Sequence, residues 1–154
     1  LVDQMNKEHF IDEPYNIGGA LNLNVINKEN EVQRMNKKID AGALFFLTQP
    51  IFDEQVIQFL PTIEKPKGVK ILGGIMPIVS YANALFLNNE VPGIIIPEKY
   101  INSFNEQMTR NEAEEVGIKI AVDIAKQIKN FVDGFYFMVP FNRVDMIIKI
   151  IEKI

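Results

Sequence analysis

The stretch that most constrains this chain is Asp40-Ala41-Gly42-Ala43-Leu44-Phe45-Phe46-Leu47-Thr48-Gln49-Pro50. It reads as the end of a helix, a glycine turn and a short apolar strand that stops at a polar pair and a proline. Residues 43–47 are apolar without alternation, the pattern of a strand covered on both faces, as in a parallel sheet. In α/β folds ligands bind where such strands run out. Thr48 and Gln49 therefore stand at a candidate site.

The same unit recurs along the chain. Apolar runs near residues 16–21, 44–48, 70–76 and 134–138 read as strands, and helical patterns alternate with them. Helices are expected at 29–41, with Val32, Met35 and Ile39 at helical spacing, and at 54–63, 81–89, 97–104, 109–130 and 144–153. Asn27 or Asn30, Asp53 and Ser80 are expected caps, Asn142 or Arg143 opens the last helix, and Gly42 is placed to stop the helix before it. Gly117, inside a long helix, marks a close helix–strand contact. Gly18 and Gly19 are unfavourable within a strand unless something must approach the backbone. Each strand ends in polar or proline-containing sequence: Ala20-Leu21-Asn22, Thr48-Gln49-Pro50, Met76-Pro77 and Pro140-Phe141-Asn142-Arg143. Strand–helix alternation implies a parallel sheet with right-handed crossovers, and this asymmetry of the turns is what a (β/α)8 barrel shows at its catalytic face. Four such units are half of a barrel.

Composition narrows the chemistry. The 154 residues suit one domain with a sizeable core, and the net charge of −4 argues against nucleic acid or an anionic membrane as main partner. There is no cysteine, which excludes disulfides and thiol catalysis and favours a cytoplasmic setting; a single histidine, His9, excludes a multi-histidine metal site. No apolar run approaches the ~18 residues that would span a membrane. Leu1 to Glu8 reads as the tail of an amphipathic helix, so the chain is expected to be a piece of a longer protein.

The run Glu31-Val32-Gln33-Arg34-Met35-Asn36-Lys37-Lys38-Ile39-Asp40-Ala41-Gly42-Ala43, followed by Thr48-Gln49-Pro50-Ile51-Phe52-Asp53, resembles methylenetetrahydrofolate reductase. Gly74-Ile75-Met76-Pro77-Ile78, Ile96-Pro97 and Phe141-Asn142-Arg143 follow in the same order, so the resemblance covers nearly the whole chain. The ending Gly18-Gly19-Ala20-Leu21-Asn22 is similar to the bacterial bifunctional form, in which a homocysteine methyltransferase domain precedes the reductase. The resemblance implies a flavin enzyme on a (β/α)8 TIM-type barrel, of which residues 1–154 are the C-terminal half and one domain. NAD(P)H would reduce FAD, and reduced FAD would convert 5,10-methylenetetrahydrofolate to 5-methyltetrahydrofolate. The partners implied are the folate, the N-terminal half of the same barrel and further copies in a homo-oligomer. The family's acidic residues belong to earlier strands, so the piece alone is expected to be inactive.

Residue by residue, the resemblance places Lys38, Lys37, Arg34 and Glu31 at the FAD ribose and diphosphate, with Gly19, Ala20, Asn22 and Leu47 also on the flavin. It places Gln49, Thr48, Asn83, Leu87 and Arg143 at the folate. Physical chemistry agrees in part: an amide such as Gln49 offers donor and acceptor to a pterin edge, and Arg143 can pair with an anion or cap the last helix. Lysines on an exposed helix face, a Gly-rich turn at 18–19 and a core role for Leu87 are the plainer alternatives. Two rival readings of the whole chain stand beside the reductase: an FAD- or folate-binding module without redox activity, and a small doubly wound α/β regulatory domain.

Overall fold

The computed structural model describes residues 1–154. In chain order the elements are α1 (Val2–His9), β1 (Ile17–Leu21), α2 (Lys28–Asp40), β2 (Ala43–Pro50), α3 (Glu54–Phe59) with a 3₁₀ turn at Leu60–Thr62, β3 (Lys70–Ile75), α4 (Tyr81–Glu90), α5 (Glu98–Ile101), α6 (Arg110–Ile128), β4 (Gly134–Phe137) with a 3₁₀ turn at Pro140–Asn142, and α7 (Val144–Ile151). The four strands form one all-parallel sheet in the order β1-β2-β3-β4. This is the alternating architecture of half a (β/α)8 barrel.

The helix ends follow local chemistry. Asn27 accepts from the Asn30 N–H, Asp53 from the Gln55 N–H and Ser80 from the Asn83 N–H. Thr109 and Glu112 form a reciprocal capping box. Gly42 ends α2 at φ +95°, where an L side chain would be strained, and its N–H closes on the Ile39 carbonyl. Two expectations change. The helix expected over 97–104 is a single turn, Glu98–Ile101, and residues 54–63 divide between α3 and the 3₁₀ turn. Arg143 opens α7 as its N-cap residue, as expected, though without a side-chain cap hydrogen bond; the chain reaches it through two successive left-handed residues, Phe141 (φ 49°) and Asn142 (φ 59°).

One sheet face carries the core. Phe46, Ile71 and Ile75 are buried there, and Gly73 faces Ile128 of α6. The other face is open: Leu47 is 36% exposed, Ala20 and Lys70 are exposed, and Leu72 and Tyr136 are half-buried. The apolar run of β2 thus does not mean cover on both faces within this chain. Its burial alternates, because all the helix packing falls on one side. The long helix α6 sits so close to the loop after β3 that a Cβ at Gly117 would lie 1.8 Å from the Ile78 carbonyl oxygen. The close contact expected at Gly117 is therefore with loop backbone, not with a strand.

Asp133 ties the strand-start end of the sheet. Its carboxylate accepts the Ile71 N–H at 2.8 Å and pairs with Lys65 at 3.0 Å and Lys70 at 3.2 Å. Burial opposes ionisation, but the backbone donor and the two ammoniums outweigh it and hold the carboxyl below its usual range. A depressed carboxyl stabilises the fold above its unfolded pKa, and that contribution is lost as pH falls through the folded value. Asp133→Asn is expected to lower stability at pH 7 by about 2 kcal/mol and to remove part of the acid sensitivity below about pH 4. Melting curves of both forms across pH 3–7 check this; superimposable curves would refute it.

Candidate functional site

The strand ends gather three groups of side chains. The first lies between β1 and α2. The Lys38 ammonium donates to the Ala20 carbonyl at 2.7 Å, leaving two of its three N–H donors free. Glu31, only 7% exposed, accepts the Asn22 N–H at 3.2 Å and an Arg34 N–H at 3.3 Å. Lys38, Glu31, Arg34, Ala20 and Asn22, predicted separately, thus converge. Lys37 does not: it is exposed on the next position round α2. On the opposite, open face of the sheet, Gly18, Gly19, Ala20, Phe45 and Leu47 line a shallow cavity of about 370 Å³. A Cβ on Gly18 would come within 2.4 Å of the tip of the Phe45 ring, so a side chain there requires that ring to swing aside.

Asn24 joins this group and was not singled out in the sequence. Its N–H reaches the Asn22 side-chain oxygen at 3.0 Å, and its Nδ2 donates to the Gly93 carbonyl at 2.6 Å and the Pro50 carbonyl at 3.4 Å. It therefore pins the loop after β1 to the end of β2. Its Oδ1 is buried with no partner. The signal in the sequence was the Asn22-Leu23-Asn24 alternation, which favours a side chain bonding to backbone two residues away.

The second group is the end of β2. Thr48 is 3% exposed, and its hydroxyl is committed within the protein: it donates to the Gln49 carbonyl at 2.8 Å and accepts the Gly74 N–H at 2.9 Å. That makes Thr48 a scaffold for Gln49 more than a surface for a ligand. Gln49 is half-buried, and its carboxamide makes no hydrogen bond within the chain. The Tyr136 hydroxyl donates to the Thr48 carbonyl from two strands away. Burial raises the Tyr136 phenol, so it stays a donor at neutral pH.

The third group stands after β3 and β4. Asn83 accepts the Val79 N–H at 3.2 Å and keeps its amide donors free. Leu87, expected at a ligand ring, is 8% exposed and belongs to the core, whereas its neighbour Phe86 is 58% exposed. Successive positions lie 100° apart round a helix, and here that step turns Phe86 to solvent and Leu87 into the core. Phe86, Phe141, Asn83 and Arg143 line a cavity of about 350 Å³. Arg143 does not stand free. Its Nη1 lies 3.0 Å from Glu114, whose same oxygen takes the Arg110 Nε–H at 2.8 Å, and the guanidinium lies 5.9 Å from the Phe141 ring centre. The Nη1 contact is an ion pair without hydrogen-bond alignment. Two arginines on one carboxylate leave an excess positive charge beside the cavity.

Comparison with known proteins follows from this geometry. The family model described as methylenetetrahydrofolate reductase matches residues 21–154. No curated protein matches the chain. Among solved structures, it is similar to an uncharacterized protein from Clostridium thermocellum that binds two copies of 5-methyl-5,6,7,8-tetrahydrofolic acid, with a TM-score of 0.62 and 19% identity. The match covers 99% of this chain and 56% of that one, so the chain spans little more than half the length of that protein. At this identity the likeness establishes a shared fold. No helix is long and apolar enough to cross a membrane. The family match across β2, β3, β4 and their helices, on a half-barrel whose strand ends carry the Lys38 and Gln49 groups, identifies the chain as a member of the methylenetetrahydrofolate reductase family.

Proposed function

We propose that this chain forms the flavin- and folate-facing half of a barrel that reduces 5,10-methylenetetrahydrofolate to 5-methyltetrahydrofolate with NAD(P)H. The observation that carries the reading is the convergence of Lys38, Glu31, Ala20 and Asn22 beside a Gln49 whose carboxamide is free, at one end of one sheet. The residues fit FAD. At the strand ends Lys38 and Arg34 supply positive charge for a diphosphate. Bound FAD would supply hydride chemistry. Lys38 would hold its phosphates, Glu31 would fix the loop at Asn22, and Gln49 would orient the pterin through one donor and one acceptor. The cavity of Phe86, Phe141 and Arg143 suits an aromatic ring that carries a carboxylate, by stacking and ion pairing. The open sheet face and the outer edges of β1 and β4 would be closed by the remaining strands of the same barrel.

The visible spectrum of the purified full-length protein tests this. Bound flavin that NAD(P)H bleaches and methylenetetrahydrofolate restores is the expected result; no flavin band, even after titration with FAD, would sink the reading. Lys38→Met is expected to weaken FAD about tenfold, measured by the same titration, and equal affinity would remove Lys38 from the site. A second reading, folate binding without reduction, draws on the 5-methyltetrahydrofolate-binding relative. It predicts folate affinity with no flavin-linked turnover.

A further inference from the structure

The β2–β3 register slips by one residue between Leu47 and Pro50: Leu47 pairs with Leu72, but Pro50 pairs with Gly74. Thr48 and Gln49 thus occupy a bulge, which removes backbone groups from the ladder. Side-chain hydroxyls take both displaced carbonyls. Thr48 Oγ1 donates to that of Gln49, and Tyr136 Oη to that of Thr48. Tyr136 lies opposite Gly74 in the β3–β4 register and reaches β2 by passing over it. A Cβ on Gly74 would lie 2.9 Å from the Tyr136 hydroxyl and 3.1 Å from the Gln49 carbonyl. Three strands therefore contribute one bracket: Thr48 from β2, the bare backbone of Gly74 from β3 and the phenol of Tyr136 from β4.

We propose that Tyr136 is a positioning residue for Gln49: through the Thr48 carbonyl, and across Gly74, it sets the bulge from which Gln49 presents its free carboxamide to the folate. This deepens the proposed function and rests on it for the ligand. The bracket itself is a property of the bulge. Without the phenol hydroxyl, the Thr48 peptide can rotate and the carboxamide samples several directions, so fewer molecules hold it ready for the ligand.

The test uses the full-length protein carrying Tyr136→Phe, which keeps the ring and removes only the hydroxyl. Amide exchange is read at Gly74, whose N–H is held by Thr48, and at Ile51, whose N–H is held by the Gly74 carbonyl at 3.1 Å. Exchange at both is expected to quicken about tenfold, and unchanged rates would overturn the bracket. Affinity for 5-methyltetrahydrofolate is expected to fall by about tenfold with flavin affinity unchanged. In a Gln49→Ala background, Tyr136→Phe should cost nothing further. Additive losses there would overturn the claim that Tyr136 acts through Gln49. Gly74→Ala, which displaces the phenol, should reproduce the Tyr136→Phe pattern. A wild-type protein without folate affinity would refute the proposed function, while the exchange rates would still judge the bracket.

Discussion

Replacing Gly117 with alanine is expected to destabilise the protein by about 3 kcal/mol, the upper part of the range for overpacking. The sign opposes ordinary helix chemistry, in which Gly→Ala in a helix interior gains up to about 1 kcal/mol. The added methyl would meet the Ile78 carbonyl oxygen at 1.8 Å and its carbon at 3.0 Å. These are backbone atoms, so no rotamer change relieves the clash. Either α6 moves off the sheet or the loop after β3 moves away. That loop contains Val79, whose N–H is held by Asn83, and Val79 and Asn83 both line the cavity of Phe86, Phe141 and Arg143. If that cavity takes the folate as proposed, loss of stability should come with loss of folate affinity. Gly68→Ala is the control, since nothing lies within 4 Å of a Cβ there. Denaturant midpoints measured side by side decide it; a Gly117→Ala midpoint equal to that of the control would show that α6 adjusts freely.

Leu72→Asp is expected to separate the isolated chain from the full-length protein by several kcal/mol. Leu72 pairs with Leu47 across the open face and lies 3.2 Å from where a Gly134 side chain would begin. Within these 154 residues that face meets solvent, so a carboxylate there can remain hydrated and the isolated chain should change little. On the proposed barrel, the same face points into a packed interior, where an unpaired charge costs several kcal/mol. The full-length variant should then unfold at much lower denaturant or fail to accumulate. A full-length protein that tolerates the aspartate as well as the isolated chain does would refute closure over this face.

Local chemistry made much of the architecture legible. The four strands, the caps at Asn27, Asp53 and Ser80, and the turn at Gly42 all depend on residues within a few positions of one another, so periodicity and turn chemistry find them. The grouping of Lys38 and Glu31 with Ala20 and Asn22 was also foreshadowed, because α2 directly follows β1. Features made by distant residues were not. Tyr136 reaches a carbonyl 88 positions away, across a strand that separates it from β2. Glu114 meets Arg143 from a different helix, and nothing near Arg143 in the chain announces that carboxylate. The core place of Leu87 beside an exposed Phe86 was not legible for another reason: both are apolar and adjacent, and only the packing of α4 decides which faces outward. That one face of β2 lies open within these residues was not legible, because an apolar run has the same appearance whether its second cover lies within the chain or not.

The strand order has a consequence for synthesis. Each strand pairs with the one made just before it, so every new strand finds a finished template and none must insert later between two others. The longest interval separates β3 from β4, across α4, α5 and α6. At ~5–20 residues per second on the ribosome, β3 waits for roughly several seconds with one edge unpaired. That interval is when a nascent chain can join a neighbour's strand instead of its own. Helix α6, emerging just before β4 with its apolar face against Gly73, is the first element able to cover the waiting strand.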